Sequence, residues 1–118
     1  MNILDIGALA QSEALANGSL TARALMEATL ERIDAVNGAV NAIVALRPRA
    51  ELLAEADRAD ATPRVGWLHG IPIAIKDLSD AKGLPTAKRS PLFAGTIAQK
   101  DSVFVARIRA AGAIIIGT

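Results

Sequence analysis

Two short apolar runs, Ile71 to Ile75 and Ala113 to Ile116, do most to limit how this chain can fold, because a long Gly/Pro-bearing connection and one amphipathic helical pattern lie between them. Strand, crossover with helix, strand is the pattern of a parallel βαβ unit. The second run is apolar throughout, as a strand covered on both faces is. In the first, Ile71, Ile73 and Ile75 alternate with Pro72, Ala74 and Lys76, so an extended backbone aims the isoleucines at one face and the lysine at the other. The expected class is α/β, with N-terminal helices packed on a mostly parallel sheet. Hydrophobic residues make up 52% of the chain and aromatic ones only 3%, so the core must be built from Ala, Leu, Ile and Val. A chain of 118 residues suits one domain, here a helical region over about 1–65 followed by the βαβ unit over about 70–117.

Three helical patterns precede the first run. Ile3, Ile6, Leu9, Ala10 and Leu15 predict a helix from about Asp5 to Ala16, stopped at Asn17-Gly18. Thr21 has the character of an N-cap, with Leu20 and Leu25 placed as a hydrophobic staple, and Leu25, Met26, Thr29, Leu30 and Ile33 form the inner face of a second helix ending at Asn37-Gly38. Val40 to Leu46 alternates as a strand would. Pro48 suits a first helical turn, and Leu52, Leu53, Ala56 and Ala59 give a third helix whose charges, Asp60 among them, read as its wet side. Beyond the connection over 77–100, Asp101 is placed to cap a helix with Phe104, Val105, Ile108 and Ala111 inside, and Gly112 ends it. A connection of that length without periodicity tends to be functional or mobile.

Lys76 is the candidate for chemistry. An ammonium at the end of an apolar strand loses hydration, which favours the neutral amine and makes it a proton acceptor. The competing expectation is a lysine that reaches out to water. The residues after it are Gly83-Leu84-Pro85-Thr86, Ser90-Pro91-Leu92-Phe93-Ala94-Gly95, Asp101-Ser102-Val103 and Ala106-Arg107-Ile108-Arg109-Ala110-Ala111-Gly112-Ala113-Ile114-Ile115-Ile116-Gly117. In this order they resemble the N-terminal part of the amidase signature family, and the helical region from Leu20 to Leu46 extends the similarity over nearly the whole chain.

The resemblance implies that Lys76 is the lysine of a Ser-cisSer-Lys triad that hydrolyses amide bonds by acyl transfer to serine and then to water. The family's two serines lie in a Gly/Ser-rich segment, and no run of the Gly-Ser-Ser-Gly-Gly sort occurs among these residues. The 118 residues alone are therefore expected to be inactive, as part of the larger amidase signature fold. The same expectation comes from the terminal apolar run, since a buried strand at the last residues of a chain lacks the layers that should cover it. Two departures stand out: Arg89 where the family usually has glycine before the serine, in a conformation a bulky residue does not readily adopt, and Ile116-Gly117-Thr118 where the family often reads Gly-Lys-Thr.

A net charge of +1 gives no signal for nucleic acid or an anionic membrane, and the local excess at Lys82, Lys88 and Arg89 reads as a solvated loop face. No apolar run approaches membrane-spanning length, and the N-terminus has no positively charged leader pattern. The absence of cysteine removes disulfides and thiolate chemistry and is compatible with a cytoplasmic location. With one histidine, His69, and no carboxylate cluster around Asp77 and Asp80, neither a metal nor a cofactor is expected. His69 and Trp67 read as structural, the tryptophan as a core plug. The expected partner is a small amide substrate, with a second copy or a partner subunit left open. One alternative in the family is the ammonia-releasing subunit of a glutamine-dependent transfer-RNA amidotransferase, and another is a non-catalytic α/β scaffold. A nucleotide-binding module is disfavoured, because no Gly-x-Gly-x-x-Gly follows either run.

Overall fold

The computed structural model describes residues 2–118. Its elements are α1 (Ala8–Asn17), α2 (Ala22–Val40), α3 (Arg49–Ala61), β1 (Pro72–Ala74), a 3-10 turn (Pro91–Phe93), α4 (Val103–Ala110) and β2 (Ile114–Gly117). β1 and β2 pair in parallel, Pro72 opposite Ile114 and Ile73 opposite Ile115, with an irregularity before Ala74 meets Gly117. The expected α/β arrangement is present: α2 and α3 lie on one face of this pair, and the connection containing α4 covers the other.

α2 forms because Ala22, Leu25, Met26 and Leu30 fall on one stripe and its first turn is satisfied twice over. Thr21 Oγ1 accepts from Ala24 N at 3.0 Å, a cap worth about 1 kcal/mol. Asp60, at the far end of α3, accepts from Ala22 N at 2.7 Å and Arg23 N at 3.0 Å. That carboxylate therefore ties two helices together at a helix N-terminus, where negative charge is favoured, and is not simply the wet side of α3.

Helix α2 runs past Asn37-Gly38 to Val40 and ends at Asn41, whose φ is +49°. The reason is the Asn37 side chain, which donates to Ile43 O at 2.8 Å and accepts from Ile43 N at 2.9 Å, clamping the returning chain onto the last helical turn. The predicted strand from Val40 is thereby reduced. Residues 44–47 lie antiparallel along β2, with Val44 N donating to Thr118 O at 2.8 Å and Arg47 N to Ile116 O at 2.8 Å, but only Leu46 and Gly117 form a bridge. Glycine is required at 117, since a Cβ there would stand 2.2 Å from Ala45 O. Arg47 fixes this edge from the other side, donating to both Glu55 oxygens at 2.8 and 2.9 Å and to Ile115 O at 2.7 Å.

β2 is covered on both faces by this chain's own residues, contrary to the expectation that a strand at the last residues would be left bare. Ile114 and Ile116 pack with Met26, Leu30, Leu52 and Ala56, while Ile115 packs with Ile75, Ala81, Leu84 and Val105. Two further expectations fail on exposure. Phe104 points outward and leaves Val105, with the half-buried Ile108, on the inner side of α4, and the Trp67 side chain is exposed, its backbone carbonyl accepting from Ser12 Oγ. Asp101 does not cap α4. Ser102 holds that position, and the Asp101 carboxylate instead accepts from Lys82 N at 2.7 Å and from Arg109 Nε at 2.8 Å.

His69 is structural in these surroundings. Its Nε2 lies 2.8 Å from the Ala59 carbonyl, which only accepts, so the proton sits on Nε2. The ring is wedged against Gly112, at φ +96°, where a Cβ would come within 2.6 Å of His69 Cα.

Candidate functional site

β1 ends at Ala74, two residues before Lys76, and this decides where the lysine goes. Ile71 and Ile75 are buried, Ile73 is half-buried, and Ala74 and Lys76 are exposed, so the alternation read from sequence is kept while the strand itself is short. Lys76 is therefore at the start of the connection rather than held dry inside the sheet. It forms no ion pair among the described residues.

The lysine lines a cleft of about 410 Å3 at the carboxyl ends of both parallel strands. Ala74, Ile75, Lys76 and Asp77 form one wall, Thr118 the floor beyond β2, Asn41, Ala42 and Val44 the chain returning from α2, and Arg89 the far loop. Carboxyl ends of parallel strands are where open α/β sheets bind ligands, and the volume suits a small molecule. A second depression, about 290 Å3, lies near the amino end of β2 beside Glu55, Arg58, Thr62 and Arg109, away from Lys76.

Asp77 explains how the far loop reaches the lysine. Its Oδ1 accepts from Ala87 N at 3.0 Å and its carbonyl from Lys88 N at 3.2 Å, so the turn at 87–89 is stapled next to Lys76. Lys88 and Arg89 both have positive φ, +51° and +57°. The arginine thus does adopt a left-handed conformation where a glycine was expected to be needed. Lys88 Nζ sits 5.3 Å from the centroid of the Phe93 ring, which turns that cation away from the cleft, while Arg89 lines it.

The connection over 77–102 is ordered by few but definite anchors: Ala81, Leu84, Thr86 and Ala98 are buried, and Thr86 N to Thr96 O at 2.8 Å and Ala98 N to Leu84 O at 3.0 Å flank a bridge between Pro85 and Ile97. Burial works against the charge on Asp101, but the Lys82 N–H and the Arg109 guanidinium outweigh it and hold the carboxyl below its usual range. None of the chain's serines lines the cleft. Ser90 accepts from Leu92 N to start the 3-10 turn, and Ser12 is engaged with Trp67 and Arg64.

The family model described as Amidase matches residues 24–118. The chain belongs to the amidase family. An acylamidase of Rhodococcus erythropolis is 35% identical over 122 residues, covering 98% of this amidase chain and 25% of that protein. A glutamyl-tRNA(Gln) amidotransferase subunit of Anaeromyxobacter dehalogenans is 38% identical over 102 residues, covering 84% of this chain and 21% of that one. Among solved structures, the native peptide amidase of Stenotrophomonas maltophilia superposes with a TM-score of 0.84 at 30% identity, covering 97% of this chain and 24% of that chain. The amidase chain thus spans about a quarter of the length of these relatives.

Lys76, the residue that the sequence singles out, lines the cleft, and most of its other lining residues carry no such signal. Asn41 and Thr118 come to it through the α2 extension and the edge at 44–47, which no periodicity announces. Arg89 carried a signal, its departure from the family's glycine. Among the described residues no helix is long and apolar enough to cross a membrane, and no group of three or more His, Cys, Asp or Glu side chains is placed to hold a metal.

Proposed function

We propose that this chain supplies the lysine of an amide-bond hydrolase, with Lys76 as the proton acceptor of a Ser-cisSer-Lys triad. The observation that carries the reading is the position of Lys76 on the wall of a ligand-sized cleft at the carboxyl ends of the parallel pair, in a chain of the amidase family. The unprotonated Lys76 amine takes a proton from a bridging serine as that serine takes one from the nucleophilic serine, whose oxygen then attacks the amide carbonyl. The amine product leaves with a returned proton, and water attacks the acyl-serine by the same relay. Both serines come from residues outside these 118, and the segment that carries them also covers the exposed lysine, supplying the desolvation that this chain does not. The 118 residues alone hydrolyse nothing.

A second reading, the ammonia-releasing component of a transfer-RNA amidotransferase, is supported by the 38% identity to the glutamyl-tRNA(Gln) amidotransferase relative. It shares the amide chemistry but makes glutamine the substrate and requires partner subunits. The test is turnover by the full-length protein. Simple amides hydrolysed without partners support the first reading, and ammonia from glutamine only with added partner subunits supports the second. Absence of either activity, with an intact fold, selects a scaffold and refutes both.

A further inference from the structure

We infer that Arg89 is a specificity residue of the Lys76 cleft and that it selects small amides bearing a carboxylate. The inference rests on the amidase reading of that cleft. Its first support is a conformational cost: Lys88 and Arg89 are consecutive non-glycine residues at positive φ, a backbone state that L side chains rarely adopt. Strain of this kind persists where the surrounding structure imposes it, and it gathers at ligand sites. Here it is imposed by the tight turn that Ser90 N closes on Ala87 O at 3.0 Å, and Asp77 pins that turn by accepting from Ala87 N at 3.0 Å and Lys88 N at 3.2 Å.

The second support is the division of labour between the two cations. Lys88 is drawn onto the Phe93 ring at 5.3 Å, whereas Arg89 lines the cleft and has no carboxylate partner among the described ion pairs. The third is charge. Lys76 and Arg89 face one carboxylate in the cleft, Asp77, one oxygen of which is already used by Ala87 N–H. Once Lys76 works as a neutral base, Arg89 is the permanent cation of the site, and its planar fork matches a carboxylate. Thr118 adds a polar neighbour: it lines the same cleft, and its Oγ1 is buried without a hydrogen-bond partner among the described residues.

The test uses the full-length protein and two isosteric pairs, succinamate against 4-methylpentanamide and N-acetylglycine against N-isobutylacetamide. The ratio of kcat/KM within a pair, charged over neutral, is expected to fall at least tenfold in Arg89→Gly for one pair or both, with partial recovery in Arg89→Lys. Arg89→Gly relieves the backbone, so misfolding does not confuse the result. Succinamate and N-acetylglycine binding is also measured calorimetrically, because it needs no turnover. Ratios and binding both insensitive to Arg89→Gly overturn this inference and leave the amidase reading standing. Binding that weakens at least tenfold in a protein that turns over none of the four amides keeps Arg89 as a carboxylate-binding residue and refutes the amidase reading instead.

Discussion

The two faces of β2 are covered by different kinds of structure. On one side, α2 and α3 bury Met26, Leu30, Leu52 and Ala56 completely or nearly so against Ile114 and Ile116. On the other, the connection over 77–102 and α4 bury Ala81, Leu84 and Val105 but leave Leu78, Leu92, Phe93, Ile97, Val103 and Phe104 exposed. The first face is held by side-chain packing that repeats with the helical period. The second is held by single anchors, chiefly the Asp77 and Asp101 carboxylates on backbone N–H groups. The candidate site lies at the seam, with Lys76 leaving the sheet and Arg89 brought in by one such anchor. A scaffold of one kind thus positions the lysine, and a loop of the other kind is free to vary what surrounds it.

Breaking the packed face has the largest effect. Leu52→Ala, at a fully buried position, is expected to destabilise the fold by about 2–5 kcal/mol in urea unfolding, whereas Leu92→Ala on the opposite face, 90% exposed, changes stability by less than about 0.5 kcal/mol. Equal costs at the two positions would remove the distinction.

The anchored face breaks at Asp101. Asp101→Ala leaves Lys82 N–H and Arg109 without their acceptor and is expected to cost about 1–2 kcal/mol. The pH dependence has a definite sign. Because the folded carboxyl titrates below its unfolded value, its contribution is present above the ordinary aspartate range and is lost as pH falls through the folded value. The stability gap between the unsubstituted protein and Asp101→Asn should therefore be flat above about pH 5 and shrink below about pH 4. A gap that widens on acidification would contradict the assignment.

The smallest effect sharpens the comparison at the seam. Arg89→Gly removes a left-handed conformation at a non-glycine residue and is expected to raise stability by about 1 kcal/mol, seen as an upward shift of the urea midpoint at constant slope. A loss of stability would mean that the arginine is held by contacts rather than tolerated for its function.

The same contrast explains what was legible in the sequence. The stripe of Leu25, Met26 and Leu30, the Thr21 cap and the parallel βαβ pattern follow from local periodicity and cap chemistry, and the structure has them. Features set by one long-range hydrogen bond were not legible. Asp60 as the acceptor for the start of α2, Asn37 as the clamp on Ile43, and Asp101 turned away from α4 towards Lys82 each depend on a partner that spacing does not name. Lys76 stands out in the sequence because a strand announces its own end, and of the two expectations for its side chain the structure has the exposed one, because β1 stops two residues early.

The central claim, that Lys76 accepts the proton that activates a serine in this cleft, is tested most directly by pre-steady-state hydrolysis of a chromogenic amide by the full-length protein and its Lys76→Ala variant. Chromophore release in a single turnover is expected to slow by about 10³-fold or more, and kcat to fall with it, with the thermal unfolding midpoint unmoved. Undiminished single-turnover release in Lys76→Ala would contradict it.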